Sequence, residues 1–351
     1  MVAKPKTLEE IRNIARVKLK GICGVYKNCD GDPRRLCQGQ SYGRALGIGG
    51  IGSGASFNNN FIALKKYKLK MKLFDEDFTP DTNYSFFGEL LSMPVMAASV
   101  AGVNSFGGDN VLSEKDFCSS VVLGCRDAGT LGWRGDTYTY SLENSYGLNA
   151  IAEAGGWGVK IVKPREQGTI LKFFNKAEEV RCIAVGVDID GCGSHAMTKY
   201  KIPVFKKSVE NIKELVNATK LPVIIKGIMT IEDALTANEA GAAAIVVSNH
   251  GGRVLDHTPG TADVLPGIVA ELRGKIKIIV DGGIRNGYDV LKMLALGAES
   301  VLIGRDIIRA AVGAGIKGVQ IHMEYMQKTL QKAMKMTNCK TLSDVSSDIL
   351  C

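Results

Sequence analysis

A six-residue turn in the second half of the chain contains the residue types best suited to chemistry. The turn, 248–253, has the sequence Ser-Asn-His-Gly-Gly-Arg and directly follows Ala244–Val247, a short apolar run typical of a strand buried on both faces. Its two adjacent glycines allow a tight turn that also carries His250 and Arg253. A buried strand that delivers a histidine and an arginine onto a loop is a common way for α/β enzymes to present reactive groups. The pattern predicts an active-site loop.

Two glycine-rich turns further along the chain predict a phosphate site. The first, 281–285, has the sequence Asp-Gly-Gly-Ile-Arg, and the second is Gly304–Arg305. Such turns at the start of helices direct backbone N–H groups and the helix dipole at an anion, and each arginine adds charge-assisted hydrogen bonds. Lys226 ends the run Val-Ile-Ile-Lys, so its buried charge needs an anionic partner, which a structural salt bridge could also provide. These features predict a phosphorylated ligand or cofactor.

Alternating strand-like and helix-like segments from residue 91 onward would position these turns. Eight apolar segments are expected to be strands of a parallel sheet: Pro94–Ala98, Gly129–Trp133, Gly158–Val162, Ile183–Val187, Pro222–Lys226, Ala244–Ser248, Ile276–Asp281 and Ser300–Ile303. The stretches between them have helical spacing, for example Val209–Thr219, Ile231–Ala240 and Tyr288–Leu296. Eight such units are what a closed (β/α)8 barrel, or TIM barrel, requires, and a doubly wound open sheet fits so many similar units less well. The polar turns then lie where barrel active sites form, at the ends of the strands.

The chain is predicted to consist of an N-terminal extension, 1–90, packed on a barrel, 91–351, that ends in a helix over Gly318–Met336. In the extension, Thr7–Lys20 has helical spacing behind a Thr-Leu-Glu-Glu capping pattern. Alternating charged and apolar residues predict an edge strand over Lys65–Lys72. The glycine-rich loop between these two segments contains three cysteines, Cys23, Cys29 and Cys37. They lack the C-x-x-C spacing of a metal site, so buried thiols are favoured over metal ligands and no metal is predicted. The role of the three cysteines stays open.

Composition and charge exclude several classes of protein. With 45% hydrophobic and 23% charged residues, the 351-residue chain has the composition of an ordinary globular protein. A net charge of +8 suits an anionic ligand, but no basic stripe interleaved with aromatic residues indicates nucleic acid binding. The first twenty residues lack the apolar core of a signal peptide, and no apolar run approaches the roughly 20 residues of a membrane span. Together with nine scattered cysteines, these features predict a cytoplasmic protein with reduced thiols.

Four motifs resemble the FMN-dependent 2-hydroxy acid oxidases and dehydrogenases, the family of glycolate oxidase, lactate oxidase and flavocytochrome b2. They are V-I-I-K-G-I at 223–228, S-N-H-G-G-R-V-L-D at 248–256, I-I-V-D-G-G-I-R-N-G-Y-D-V-L-K-M-L-A-L-G-A at 278–298 and V-L-I-G-R at 301–305. The match is dense and specific over about 221–305 and weaker, but traceable, from 53 to 188. It implies an FMN enzyme that oxidises a small anionic 2-hydroxy acid to a 2-oxo acid. It also implies an electron acceptor (oxygen, a quinone or a carrier protein) and a homo-oligomer such as a tetramer.

The resemblance implies a role for each matching residue. His250 takes the position of the base that removes a proton while a hydride equivalent passes to flavin N5, and Asp188 pairs with His250 and raises its basicity. Arg253 takes the position that binds the substrate carboxylate. Lys226 lies beside the flavin N1–C2 edge and stabilises negative charge on the reduced ring. The other FMN contacts fall on Ala97, Ala98, Ser99, Ser248, Asp281, Gly282, Gly283, Arg285, Gly304 and Arg305.

The family's substrate cage is altered in this chain, which predicts a substrate other than plain lactate or glycolate. The family's substrate-binding tyrosine falls at Gly50, and its second carboxylate-binding arginine falls near His195. Its glutamine and tyrosine on the third strand fall in 158–161, which supplies neither. Lys160, Lys163 and His195 could supply replacement positive charge for a different or larger anion, with solvated loop positions as the alternative for each. Of these, Lys160 and His195 are assigned to substrate binding.

Two other kinds of function stay open at this point. An enzyme like type 2 isopentenyl diphosphate isomerase, or a flavin reductase fed by a nicotinamide, would use a related FMN barrel. Neither explains the His-Gly-Gly-Arg sequence as well as hydroxy acid oxidation, which needs a base and a carboxylate anchor. A flavin- or phosphate-binding protein without activity would have little reason to keep both His250 and Asp188. Oxidation of a 2-hydroxy acid is the preferred function.

Overall fold

The computed structural model describes residues 5, 7–19, 49–103, 108 and 110–351. Within them a two-stranded hairpin precedes eight parallel strands that close into a barrel. The hairpin is β1 (Tyr84–Phe86) and β2 (Glu89–Leu91), and the barrel strands are β3 (Val95–Ala97), β4 (Gly132–Arg134), β5 (Gly158–Val162), β6 (Ala184–Asp188), β7 (Val223–Ile228), β8 (Ala244–Val247), β9 (Lys277–Val280) and β10 (Ser300–Ile303). Neighbours in the barrel follow chain order, and β10 pairs with β3 to close the ring. The predicted (β/α)8 barrel is confirmed, because all eight predicted strands form it.

Helices surround the barrel and connect its strands. They are α1 (Leu8–Lys18), α2 (Ala55–Lys66), α3 (Glu114–Asp127), α4 (Tyr146–Glu153), α5 (Gln167–Glu179), α6 (His195–Lys199), α7 (Val209–Asn217), α8 (Ile231–Glu239), α9 (Thr261–Leu272), α10 (Gly287–Ala295) and α11 (Arg305–Met336). The capping pattern predicted for α1 forms, with Thr7 and Glu10 bonding to each other's backbone N–H groups. The predicted closing helix is the second half of α11, which is kinked at Ala314 and Gly315.

Alternate residues of each barrel strand face two different cores. One set fills the barrel interior, where the hairpin residue Phe86 lies against Trp133 with ring centroids 6.1 Å apart. The other set packs against the surrounding helices, as Ile225 and Val247 do. Burial on both faces explains why these strands are apolar throughout. The same alternation decides which side chain at the end of each strand points into the barrel mouth.

The predicted edge strand over Lys65–Lys72 is wrong. Its first two residues end helix α2, and the next residues run beside the C-terminal end of the chain, with a single β-bridge from Leu69 to Leu350. Backbone bonds of 3.0 and 3.1 Å join Lys68 and Cys351 in both directions. The alternating pattern did predict an extended backbone. It could not show that its partner is a short terminal segment rather than a sheet.

The predicted division at residue 90 falls inside β2, and the two-part organisation stays a prediction. Two of the hairpin's aromatic residues, Tyr84 and Phe86, share the barrel's inner core, so this part of the extension packs on the barrel. The three N-terminal cysteines lie outside the described residues. No helix in the described part of the chain is long and apolar enough to span a bilayer.

A close helix contact gives a stability prediction. A Cβ at Gly287, in the first turn of α10, would overlap the backbone of Leu330 in α11, whereas a Cβ at Gly168, in the first turn of α5, would meet nothing within 4 Å. We expect Gly287→Ala to destabilise the fold by about 1–3 kcal/mol through overpacking. Gly168→Ala should be neutral or stabilising by up to about 1 kcal/mol. Thermal unfolding followed by circular dichroism measures both, and equal melting temperatures would contradict the predicted contact.

Candidate active site

Charged side chains gather at the mouth of the barrel because of the strand alternation. Alternate residues of each strand face the barrel interior. On several strands the inward position nearest the C-terminal end holds a polar residue, two positions after an apolar one. Ile224 of β7 is thus followed by Lys226, and Ile161 of β5 by Lys163. The other inward residues at strand ends are Asp188, Ser248 and Asp281. Five polar or charged groups are therefore buried in one layer.

His250 is held at this mouth by a strained turn. Its φ angle is 56°, in the left-handed region that a residue with a Cβ rarely adopts, and its backbone N–H donates to Ser248 Oγ at 3.1 Å. Its Nδ1 lies 3.0 and 3.1 Å from the two carboxylate oxygens of Asp190. Strain of this kind persists where the surroundings fix the residue, which is typical of functional sites.

The structure places Asp190, rather than the predicted partner Asp188, at hydrogen-bonding distance from His250. The distance from Nδ1 to the nearer Asp188 oxygen is 3.9 Å, which is too long for a hydrogen bond. Asp188 instead accepts a hydrogen bond from Lys163 Nζ at 2.5 Å. Asp190 was missed because it lies in the short 3-10 helix Ile189–Gly193 after β6, where no strand periodicity marks which side chain faces the site.

The buried charges shift the pKa values of these groups. Burial lowers the pKa of the His250 imidazole; Asp190 opposes that effect, whereas Lys163 and Lys226 add to it. Burial alone would raise the pKa of Asp190, but His250, Lys226 and Lys163 outweigh it and lower the pKa to about 2. Near neutral pH His250 is therefore a neutral base beside an ionised carboxylate.

Lys226 carries a fixed positive charge at the centre of the mouth. Its Nζ donates to Ser248 Oγ at 2.7 Å and lies 3.3 Å from Asp281 Oδ2. Burial alone would lower its pKa, but the carboxylates of Asp281, Asp190 and Asp188 outweigh burial and raise the pKa. The salt bridge considered for Lys226 forms, and Lys226 also lines the cavity.

Two arginines of the glycine-rich turns are held against aromatic rings of α2. The guanidinium of Arg285 lies 4.9 Å from the ring centroid of Phe61 and 3.7 Å from Asp306. The guanidinium of Arg305 lies 4.7 Å from the ring centroid of Phe57. Stacking on an aromatic face fixes the plane of a guanidinium and leaves its N–H groups available along the edges.

One cavity brings together most of the predicted site residues. Its lining includes Ala98, Ser99, His195, Lys226, His250, Arg253, Asp281, Gly282, Gly283, Arg285, Gly304 and Arg305. Lys163 lines it too, together with Thr137 and Met197, which were not singled out from the sequence. Neither Asp188 nor Ser248 lines the cavity. Each instead accepts a hydrogen bond from a lysine that does.

The structure does not bring Lys160 or Ala97 to this cavity. Both occupy the strand face that points toward the helices, one position out of phase with the inward residues. Lys160 is completely buried, donates to the carbonyl oxygen of Gly135 at 2.5 Å and lies over the rings of Tyr140 and Phe173. Burial lowers its pKa to about 8. The predicted substrate contact of Lys160 is therefore corrected, and Lys163 is the lysine of β5 and its following turn that faces the mouth.

The cavity has the polar groups that a phosphorylated, hydroxyl-bearing cofactor requires. Among the buried atoms that have no hydrogen-bond partner in the described residues, two lie on the turn after β9: the acceptor Asp281 Oδ1 and the donor Arg285 Nε. They flank Gly282 and Gly283, whose backbone a ligand can approach closely because neither has a side chain. An acceptor for a hydroxyl and donors for a phosphate thus lie on one turn, which fits FMN.

Comparisons with known proteins show which family the chain belongs to. The FMN-dependent dehydrogenase family model matches residues 45–201 and 194–351, and the chain belongs to this family. It is 30% identical over 332 residues to 4-hydroxymandelate oxidase of Amycolatopsis orientalis, covering 84% of this chain and 89% of the relative. It is 30% identical over 337 residues to 2-hydroxyacid oxidase 1 of Homo sapiens, covering 83% and 87%. A crystal structure of mandelate oxidase matches with a TM-score of 0.80 at 27% identity, covering 98% of this chain and 97% of that one.

Family membership confirms the resemblance seen in the motifs. The protein is an FMN-dependent enzyme of the 2-hydroxy acid oxidase and dehydrogenase family. The roles of individual residues in holding FMN are predictions for this chain.

Arg285 provides a test of where the FMN phosphate lies. We expect Arg285→Met to weaken FMN binding by about 10- to 100-fold, because one charge-assisted hydrogen bond contributes about 1.5–3 kcal/mol. Binding of riboflavin, which has no phosphate, should change little. Fluorescence titration of the flavin-free protein with both ligands measures the difference, and Arg126→Met, a change in a half-exposed arginine of α3, is the matched control. Equal losses for both flavins would show that Arg285 does not contact the phosphate.

Proposed function

We propose that this enzyme oxidises a 2-hydroxy acid to the corresponding 2-oxo acid, with His250 as the base and Arg253 as the anchor of the substrate carboxylate. The observation that carries the proposal is the placement of both residues on one turn that lines the FMN-type cavity. A neutral, partly exposed imidazole suits proton removal, and a guanidinium suits bidentate binding of a carboxylate.

The proposed reaction needs a base, an anchor for the carboxylate and an acceptor for two electrons. His250 takes the hydroxyl proton of the substrate, and Arg253 holds the carboxylate so that the C2–H bond has one fixed direction. FMN held in this cavity would supply the acceptor for the two electrons and the hydrogen that leave C2 as a hydride equivalent. Lys226 keeps a positive charge in the cavity and is held there by Asp281 and Ser248. The electrons pass on to oxygen, a quinone or a carrier protein, and comparing turnover with and without oxygen distinguishes the first from the others.

The cavity supports a substrate larger than lactate or glycolate. Gly50 lines the cavity where the resemblance places the family's substrate-binding tyrosine, and a Cβ there would lie 2.8 Å from Phe57 Cβ, so no side chain fits at this position. Met197 and Val254 add apolar lining, and His195 has a buried Nε2 with no hydrogen-bond partner in the described part of the chain. We infer a 2-hydroxy acid with a bulky side chain, and the similarity to mandelate oxidases supports an aryl group.

An anaerobic absorbance titration tests the proposal directly. The FMN-loaded protein is mixed with glycolate, lactate, mandelate and 4-hydroxymandelate, with NADH and NADPH as comparators. We expect the yellow flavin band to bleach with at least one hydroxy acid, and more readily with the aryl acids than with glycolate. Bleaching by a nicotinamide alone would contradict the proposal.

The lowered pKa of His250 predicts the pH dependence of kcat/KM. The base must be neutral, so activity is lost only as pH falls through a pKa below the ordinary imidazole value of 6.5, and it stays level above that pKa.

His250→Ala should abolish flavin reduction by substrate and leave FMN bound. Stopped-flow reduction and flavin content measure the two effects. A variant that reduces its flavin at the normal rate would show that His250 is not the base.

Arg253 should not tolerate replacement by lysine. An ammonium is a point charge and cannot reproduce the two parallel hydrogen bonds of a guanidinium. We expect Arg253→Lys to weaken binding of the substrate, measured as the dissociation constant for flavin reduction, by about 10-fold or more, which corresponds to one lost charge-assisted hydrogen bond. FMN content is the control, and unchanged substrate affinity would place the carboxylate elsewhere.

We also propose that the enzyme is a cytoplasmic homo-oligomer, with a tetramer as the expected form. Six cysteines in the described residues are free thiols, including the buried Cys118, Cys125 and Cys182, and this supports a reducing compartment.

A further inference from the structure

We infer that Asp190 is the positioning residue of His250. Asp188 does not orient His250, because it is paired with Lys163 instead. The inference rests on the proposed function of His250 as the base. Both carboxylate oxygens of Asp190 lie within 3.1 Å of His250 Nδ1, whereas the nearest oxygen of Asp188 lies 3.9 Å away. A carboxylate two residues beyond the strand end thus replaces the strand-end carboxylate that the sequence indicates.

Lys163 explains why Asp188 is not the partner. Its Nζ bonds to Asp188 Oδ2 at 2.5 Å, and both side chains are more than nine-tenths buried. A buried lysine–carboxylate pair is strongly coupled, because breaking it leaves an uncompensated buried charge. The oxygen of Asp188 that comes nearest to His250 is the same Oδ2 that Lys163 occupies. Asp188 Oδ2 is therefore engaged by Lys163, and Asp188 Oδ1 is buried without a hydrogen-bond partner among the described residues.

The backbone opposite Asp190 leaves room for this arrangement. Gly227 of β7 has a φ angle of +100°, and a Cβ there would lie 2.5 Å from Asp190 Cγ. The pairing of β7 with β8 is irregular at this point, between Lys226 and Ile228. Because Gly227 has no side chain, the Asp190 carboxylate can lie against its backbone and face the imidazole of His250.

The contact determines which nitrogen of His250 acts. An ionised carboxylate only accepts hydrogen bonds, so Nδ1 of the neutral ring must carry the hydrogen and Nε2 must be the free base. The carboxylate also stabilises the imidazolium that forms when Nε2 takes a proton. The charged groups facing this ring are Asp190, Asp188, Lys163 and Lys226. His250 and one carboxylate oxygen from each of the two aspartates lie within 4.8 Å of one another. The Nζ of Lys163 already bonds to Asp188, so the arrangement favours a hydrogen bond over a bound cation.

Titration of the imidazole tests the inference without relying on activity. The chain has only four histidines, so ¹⁵N-histidine spectra of the FMN-loaded enzyme can be assigned with His→Gln variants. We expect the wild type to carry its hydrogen on Nδ1. Asp190→Asn should lower the pKa of His250, because the opposing carboxylate is lost. The double variant Lys163→Met/Asp188→Asn removes one positive and one negative charge, so the net charge of the site is kept. It should leave the pKa of His250 unchanged or raise it.

The opposite pattern would overturn the inference. If Asp188 orients His250, the double variant lowers the pKa of His250 and Asp190→Asn leaves it in place. A hydrogen found on Nε2 in the wild type would also contradict the inference. Each of these results can be read whether or not the enzyme oxidises a hydroxy acid, so failure of the inference is distinguishable from failure of the proposed function.

Kinetics adds a readout that a merely structural role would not move. For Asp190→Asn we expect the plateau of kcat to fall by about 100-fold or more, as when the carboxylate partner of a catalytic histidine is removed. The acidic limb of the kcat/KM profile should shift to lower pH, and KM should change little, because Asp190 does not contact the substrate in this arrangement. An unshifted limb together with an unchanged kcat would refute the role of Asp190.

Discussion

The site depends on the mutual neutralisation of charges buried at one end of the barrel. Three carboxylates, Asp188, Asp190 and Asp281, lie among two lysines, Lys163 and Lys226. Burial of any one of these charges alone would be prohibitively unfavourable, so each position constrains the others. Three negative and two positive charges leave one negative charge in excess. Proton transfer to His250 supplies the missing positive charge, so the group becomes neutral when the proposed base has done its work.

Much of the fold and part of the site follow from the sequence. The eight apolar segments locate the barrel strands to within a few residues, because burial on both faces removes polar residues from them. The polar residues directly after those segments, such as Lys226 and Asp281, then fall at the mouth by topology alone. The glycine-rich turns were equally recognisable in the sequence, because adjacent glycines indicate a tight turn.

The phase of a strand is what the sequence left undetermined. In Val159–Lys163 either set of alternating residues could face inward, because both contain a lysine, and a shift by one residue exchanges Lys160 for Lys163. The structure shows Val159 and Ile161 inside the barrel, which sends Lys163 to the mouth and Lys160 toward the helices. Asp190 was not predicted for a related reason. It lies beyond the last strand residue, where the direction of a side chain depends on contacts with β7 rather than on strand periodicity.

The glycines of the His-Gly-Gly-Arg turn connect the proposed base to the cofactor end of the cavity. A Cβ at Gly251 would collide with the guanidinium of Arg305, whose Nη2 donates to the Gly251 carbonyl oxygen at 2.7 Å. A Cβ at Gly252 would overlap the backbone of Phe57, whose ring lies under the same guanidinium. The turn that fixes His250 thus packs directly on the arginine assigned to FMN and on helix α2. The two glycines are needed less for flexibility than for this contact, which sets the proposed base and the cofactor site in one rigid frame.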